Sequence, residues 1–281
     1  MIKEQAIIET VHSGSAQIDE RAIIHPTAKI ADGVKIGPWT LIDANVEIGA
    51  GTEVAAHVII KGHTRIGKNN RIYQFSSIGE APQDTNYKGQ ETWLEIGDNN
   101  VIREFCTISR GTTSGAGTTR IGNNNFIMAY VHIAHDCQIG NFVTLVNNAA
   151  FAGHVTVADY ARIGGFVGVH QYCSIGAHSF ITASMISKDI PPYVIVTGNT
   201  AKLCGLNIVG LKRRGYSAEA ITGLRRAYNI LFRKGLNVTQ AMKELELLVP
   251  EFPDVQLFID SVNNSTRGIL RSGEFEAPEF I

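Results

Sequence analysis

Apolar residues recur every six positions through most of the first two thirds of the chain. Ile18, Ile24, Ile30, Ile36, Ile42, Ile48, Val54, Ile60, Ile66, Ile72 and Ile78 form one unbroken run. Ile96, Ile102 and Ile108 resume it. Ile121, Ile127, Ile133, Ile139, Leu145, Phe151, Val157, Ile163, Val169, Ile175 and Ile181 complete it. An amphipathic helix needs a spacing near 3.6, and an isolated strand needs alternation. A period of six fits a parallel β-solenoid, in which each unit is a short strand and a turn and three units close a triangular coil of roughly 18 residues. Coils pair edge to edge at about 4.8 Å, with the repeated apolar residue stacked inside. Gly37, Gly49, Gly67, Gly79, Gly97, Gly122, Gly140, Gly164 and Gly176 each follow that residue. They are expected to supply the unusual dihedrals of the corners.

The phase breaks twice, at residues 80–95 and 109–120, and both breaks read as loops ejected from a rigid scaffold, where binding groups tend to sit. After Ile181 the period ends, and Asp189-Ile190-Pro191-Pro192-Tyr193 is a breaker. Beyond it, Ser217 opens a capping-box-like SAEA ahead of Ile221, Leu224, Ala227, Tyr228, Leu231 and Phe232, an apolar helical pattern closed by Gly235. Further helix is expected over Thr239–Leu248 and Asp254–Val262. The chain therefore reads as a parallel β-helix over 1–190 and an α-helical domain over 191–281. The helices would cap the open sheet edge.

With 44% hydrophobic residues and a net charge of −1, the chain can bury a core and carries no bias toward nucleic acid. Only the last ten residues, where Glu274, Glu276 and Glu279 alternate with aromatics and proline, have the composition of a disordered end. One cationic cluster, Lys212-Arg213-Arg214, suits a small anionic ligand or an acidic partner. Cys106, Cys137, Cys173 and Cys204 form no metal-like spacing and read as buried thiols of a reducing compartment. No apolar run of about 20 residues and no signal peptide is evident, so a cytoplasmic protein without membrane insertion is expected.

Four histidines, His132, His135, His154 and His170, fall outside the apolar position at spacings near one coil. They are expected on neighbouring coils, where imidazoles suit general-base chemistry near neutral pH. Asp136 follows His135 and is a candidate to orient it, although neighbours in a strand point opposite ways. A zinc site of three histidines would need a further upstream ligand, and His63 lies too far back. No metal and no cofactor is expected.

The motifs IAHDC, AGHV, VHQY, IPPY and GLKRRG, in that order behind hexapeptide repeats and followed by STRGILR, resemble the acyl-carrier-protein-dependent UDP-N-acetylglucosamine O-acyltransferases of lipid A biosynthesis. The resemblance covers nearly the whole chain. It implies a left-handed β-helix, a homotrimer with sites between subunits, and transfer of a 3-hydroxyacyl chain from acyl carrier protein to the 3-hydroxyl of the nucleotide sugar. Through it, His135 matches the general base, Asp136 its orienting acid and Gly153 the oxyanion donor. His132, His154, His170 and Gln171 match substrate-contacting positions, and Asp84 matches the residue that holds the glucosamine. Asn207 and Arg213 match positions near the acyl and phosphate groups.

Two features depart from the family pattern. Asn86 stands where a lysine is common, and TASMISKDIPP is one residue short near the closed end of the acyl groove. Chain length is therefore left open. The competing readings are another hexapeptide acyltransferase, N-acyl or acetyl-CoA dependent, and a non-catalytic β-solenoid module.

Overall fold

The computed structural model describes residues 15–271. The expectations for residues 1–14 and for the acidic, aromatic end beyond Arg271 lie outside the described residues. The chain divides into two compact units, one ending at Cys137 and the other beginning at Gln138.

In the first unit, strands of two to four residues build three parallel sheets. Each sheet carries one outward column of register partners. One column runs Gln17, Lys35, Glu53, Arg71, Val101, Phe126. The second runs Lys29, Glu47, Arg65, Glu95, Arg120. The third runs Ile23, Leu41, Ile59, Ser77, Thr107, His132. The first two alternate in charge, with Lys35 on Glu53 at 2.7 Å and Lys29 on Glu47 at 2.8 Å. The third holds no charged side chain among these partners, and Ile23 and Ile59 are 67% and 41% exposed. Such exposed ion pairs contribute little stability each.

The core is the stacked hexad residue. From Ile30 to Ile181 none of these residues is more than 4% exposed. Each contributes roughly 1.5–3 kcal/mol through burial, before chain entropy is counted. A second inward position lies two residues earlier and is often polar, as at Thr40, Thr52, Asn70 and Asn100. These groups answer the backbone at the corners. Thr40 Oγ1 donates to the Ala55 carbonyl at 2.7 Å, and Asn70 Nδ2 to Gly97 at 2.9 Å. Asn70 Oδ1 accepts from Asn100 N, and Asn100 Oδ1 from Asn125 N, both at 2.9 Å. A buried polar ladder is tolerated because its members are paired.

The glycines play a different part from the one expected. Among those following the hexad residue, Gly79 has φ +76, while Gly37, Gly49, Gly67, Gly97, Gly140, Gly164 and Gly176 are not in the left-handed region. The left-handed corner falls two residues later; glycine holds it at Gly33 and Gly51, and elsewhere residues with side chains do, such as Trp39, Asn69, Phe75, Asn99, Phe105 and Asp136. Stacking offsets the strain there, as Trp39–His57–Phe75–Phe105–Tyr130 form a continuous ring ladder at 4.8–5.3 Å. The glycines admit the next coil instead. A Cβ on Gly49 would lie 2.6 Å from the Gly67 carbonyl, and one on Gly37 2.7 Å from Ala56 N.

Partners in regular coils are 18 residues apart, as Gln17 and Lys35. At the first phase break Arg71 pairs with Val101, an insertion of 12 residues. At the second, Thr107 pairs with His132, an insertion of 7. The coil thus closes beneath each ejected loop with the hexad residues in register, although the pairing shifts by one after Ile78, where Glu80 meets Ser109.

The second unit is built in the same way, from short parallel strands. It also runs past the end of the strict repeat: Val169 pairs with Ile186, Ile175 bridges to Ile190, and Ile181 pairs with Val196. These spacings of 17, 15 and 15 residues are short units that the six-residue period hides. The region expected to be helical from 191 accordingly begins with strands. Val194–Thr197 pairs parallel to Phe180–Thr182 and antiparallel to Lys202–Leu206. Helices follow: α1, Ile208–Arg213; α2, Ala218–Phe232; α3, Val238–Glu246; and α4, Gln256–Asn263. Ser217 Oγ caps α2, as its position predicts, but the reciprocal capping box is at α3, between Asn237 and Gln240. Cys106, Cys137 and Cys173 are buried, whereas Cys204, expected inside, is exposed on a strand of this hairpin.

STRGILR is an anchor. Asp189, 3% exposed, accepts from Ser265 Oγ at 2.6 Å, from the amides of Thr266 and Arg267, and from Ser174 N at 2.7 Å. Among the described residues no helix is long and apolar enough to cross a membrane.

Candidate active site

His135 and Asp136 are neighbours whose side chains meet. The corner explains it: Asp136 has φ +60, which turns its carboxylate back toward the preceding ring instead of to the opposite face. His135 Nδ1 lies 2.9 Å from Asp136 Oδ2. The imidazole is 15% exposed and the carboxylate fully covered. An ionised carboxylate only accepts hydrogen bonds, so the proton of this contact sits on Nδ1. That tautomer leaves the lone pair at Nε2, the arrangement a general base requires.

Asp136 is itself held from the second inserted loop. Thr112 N donates to both carboxylate oxygens at 3.0–3.1 Å, and Thr112 Oγ1 donates to Oδ2 at 2.6 Å. The amide of Asp136 donates to Thr119 Oγ1 at 2.8 Å. Nothing in the sequence reading singled out Thr112 or Thr119. The available signal was their place in and beside an ejected loop ahead of the histidine motif.

His132 belongs to the third outward column, and its Nδ1 is 2.7 Å from Thr107 Oγ1. Burial, with a smaller contribution from His135, lowers its pKa and keeps it neutral near pH 7. Asp84 sits in the 12-residue insertion, where its Oδ1 accepts from Asn86 N at 2.9 Å and its carbonyl from Tyr87 N. Arg110 braces that loop, donating to Gly79 O at 2.7 Å and to Tyr87 Oη at 3.1 Å. Asn86 is exposed, and Lys88 donates its Nζ to Thr85 O within the same loop.

The remaining candidates lie in the second unit. Gly153 is buried, and its carbonyl accepts from Tyr172 N at 3.1 Å. His154 is a left-handed corner residue stacked on Tyr172 at 4.4 Å. His170 is exposed one rung along, beside Ala152, with Nδ1 3.2 Å from the Gln171 carbonyl; Gln171 is exposed too. So His154 and His170 do fall on adjacent rungs, two residues out of step.

Asn207 carries a structural duty. Its Oδ1 caps α1 through Gly210 N, and its Nδ2 donates to His178 O at 2.9 Å. Arg213 is exposed in the last turn of α1. Its neighbour Arg214 is the packed one, with its guanidinium 4.6 Å over Tyr160 and Nη2 on the Tyr160 carbonyl at 3.0 Å.

A hexad-built β-solenoid with an oriented His–Asp pair at its corner and a helical C-terminal region defines a hexapeptide-repeat acyltransferase. Residues 27–62 and 118–153 match the model of bacterial transferase hexapeptide repeats, and residues 189–270 match domain 2 of UDP-N-acetylglucosamine O-acyltransferase. The acyl-[acyl-carrier-protein]–UDP-N-acetylglucosamine O-acyltransferase of Pseudomonas entomophila is 56% identical over 91% of this chain and all of its own. The solved UDP-N-acetylglucosamine acyltransferase of Francisella novicida superposes with a TM-score of 0.90 at 46% identity, over 91% of this chain and 94% of that one. That of Moraxella catarrhalis gives 0.89 at 50% identity, over 90% and 99%. The chain belongs to the acyl-[acyl-carrier-protein]–UDP-N-acetylglucosamine O-acyltransferase family.

Proposed function

We propose that this chain transfers a 3-hydroxyacyl group from acyl carrier protein to the 3-hydroxyl of UDP-N-acetylglucosamine, the first step of lipid A biosynthesis, with His135 as general base. The observation that carries the reading is the 2.9 Å contact of His135 Nδ1 with the buried Asp136. A sugar hydroxyl is a weak nucleophile until its proton is taken during attack. His135 Nε2 takes that proton as the oxygen adds to the thioester carbonyl. Asp136 stabilises the imidazolium that results. The carbonyl oxygen becomes an oxyanion, for which the Gly153 N–H is the assigned donor, a contribution of roughly 3–4 kcal/mol in comparable sites. Collapse expels the carrier thiolate, and the proton on His135 returns to sulfur. The balance closes with one ester formed and one thioester broken, with no redox step and no covalent enzyme intermediate.

His132, His154, His170, Gln171 and Asp84 are assigned to the nucleotide sugar, Asn207 to the acyl chain and Arg213 to the phosphates. Arg213 is exposed and basic, and a planar guanidinium suits a diphosphate. The uncharged column Ile23–Leu41–Ile59, which ends in Thr107 and His132, supports a homotrimer in which this face is covered by another copy. A cytoplasmic site of action fits acyl carrier protein as donor.

The test is turnover of UDP-N-acetylglucosamine by the purified chain with 3-hydroxyacyl carrier proteins, read by mass spectrometry of the sugar product. The 3-amino sugar analogue and His135→Ala run alongside. An O-acylated sugar from the natural acceptor and its loss in the variant are expected. Undiminished turnover by His135→Ala would remove the base assignment, and preference for the amino sugar would move the chain to N-acylation.

A further inference from the structure

We propose that Thr112 is a positioning residue for catalysis, acting on His135 only through Asp136; this rests on the assignment of His135 as base. Every polar group of Thr112 is committed. Its amide and hydroxyl both donate to the Asp136 carboxylate, the hydroxyl at 2.6 Å. Its carbonyl accepts from Gly115 N at 3.2 Å and Gly117 N at 3.0 Å, which folds the inserted loop back on itself. The residue is 2% exposed. Ser114 Oγ lies 3.0 Å from Thr112 Oγ1. Since the Thr112 proton goes to Asp136, the Ser114 hydroxyl is the donor in that second contact.

The preceding residues fix where Thr112 can be. A Cβ on Gly111 would lie 2.3 Å from Thr118 N, and Gly111 N donates to Trp93 O at 3.1 Å. Arg110 is tied to Gly79 O and to Tyr87 of the loop that holds Asp84. The second loop is therefore a brace whose tip is aimed at one carboxylate. A carboxylate gripped by both the amide and the hydroxyl of Thr112 is held in one rotamer. A fixed carboxylate in turn fixes the ring of His135 and keeps its proton on Nδ1. Charge-assisted hydrogen bonds of this kind are the short, strong ones.

The signature is a fall in kcat that leaves KM in place and is rescued by serine. In Thr112→Val the hydroxyl donor is removed while shape and β-branching remain. The carboxylate is gripped less firmly, the ring of His135 is less well oriented, and kcat falls roughly tenfold. KM for the nucleotide sugar stays within about twofold, because Thr112 touches Asp136 and not the sugar. Thr112→Ser restores kcat. Thr112→Ala is made in parallel, so that misfolding of one variant leaves the donor deletion readable in the other; melting curves establish folding of each. An undiminished kcat in a folded Val or Ala variant overturns the proposal. So does a Ser variant no better than Val, which would make the effect one of packing. His135→Ala in the same series separates the two failures: activity there removes the base, whereas an inactive His135→Ala beside a Thr112→Val of undiminished kcat removes only the positioning role.

Discussion

His135 Nδ1 is 2.9 Å from Oδ2 of Asp136, and the two residues are consecutive. Adjacent side chains in a strand diverge; these converge because Asp136 occupies the left-handed corner that in other turns holds asparagine or an aromatic ring. Asp136→Asn keeps the shape and can present Nδ2–H to the ring, which favours the wrong tautomer. The expected outcome is a fall in kcat of about 10²–10⁴ with little change in KM for the sugar, by analogy with the oriented bases of hydrolases. Steady-state kinetics with saturating acyl carrier protein checks it.

How far the sequence reveals this molecule depends on which force sets each feature. The stacked core from Ile30 to Ile181 is legible because one buried position per six residues must be apolar and nothing else competes there. The phase breaks are legible for the same reason, and the 12- and 7-residue insertions begin where the period fails. The last coil is not, because Ile186, Ile190 and Val196 keep their places in space while the linking turns shorten. The glycines were misread because the sequence reveals that a position is small, not whether it is small for its dihedral or for its neighbour. The His–Asp pair is visible as a motif, but its convergence depends on a left-handed corner that no neighbouring glycine marks, since Ala134 stands two residues before Asp136. Thr112 is silent, since a threonine in a loop of threonines and glycines carries no local mark until the carboxylate it serves is located. Asn207 and Arg214 show a further limit: a polar residue beside a helix start or end is as readily a cap or a packed cation as a ligand.

Gly49→Ala tests the corrected role of the glycines. Its Cβ would meet the Gly67 backbone at 2.6 Å, and a backbone atom in the next coil cannot rotate away. The solenoid should lose roughly 2–3 kcal/mol, seen as a lower denaturation midpoint. Gly89→Ala is the contrasting case, with φ +88 and open space around it; strain of about 1 kcal/mol is expected there and no clash. Equal, negligible effects at both sites would remove the close-packing explanation.

Asn207→Ala removes the cap of α1 and the bond to the His178 carbonyl together. A loss of about 1–2 kcal/mol in stability is expected. Binding of the nucleotide sugar, followed by calorimetry, should change far less than thermal stability if this structural duty dominates. A large change in acyl-donor kinetics at unchanged stability would instead favour the contact with the acyl chain.

Ile59→Asp places a charge in the uncharged column, on a residue 41% exposed between Leu41 and Ser77. If copies of the chain cover that face, sedimentation should move from trimer toward monomer while the hexad core keeps its far-ultraviolet signature. Lys35→Asp, on a column that already alternates in charge, should leave the sedimentation coefficient of the trimer in place. An Ile59→Asp protein that remains a trimer would put the interface elsewhere.

His178 makes stability depend on pH in a calculable direction. Its ring stacks on Tyr160 at 4.9 Å and on Tyr193 at 5.5 Å, and Nε2 is 3.2 Å from Tyr216 Oη. Burial, reinforced by Arg214 and opposed by Asp159, brings its pKa down to about 4. The folded protein thus keeps this imidazole neutral where the unfolded chain, with an ordinary value near 6.5, would take up a proton. The associated stability is whole above pH 6.5 and drains away as pH falls from there toward 4. Between pH 7.5 and pH 5 a loss on the order of 1–2 kcal/mol is expected from this residue. His178→Phe keeps a ring at a left-handed corner, as Phe75 and Phe105 do, and leaves the 178 carbonyl in place for Asn207. Its urea midpoint should therefore change less between pH 7.5 and pH 5 than that of the unaltered chain. Identical slopes for the two proteins would assign the acid sensitivity of the fold to other groups.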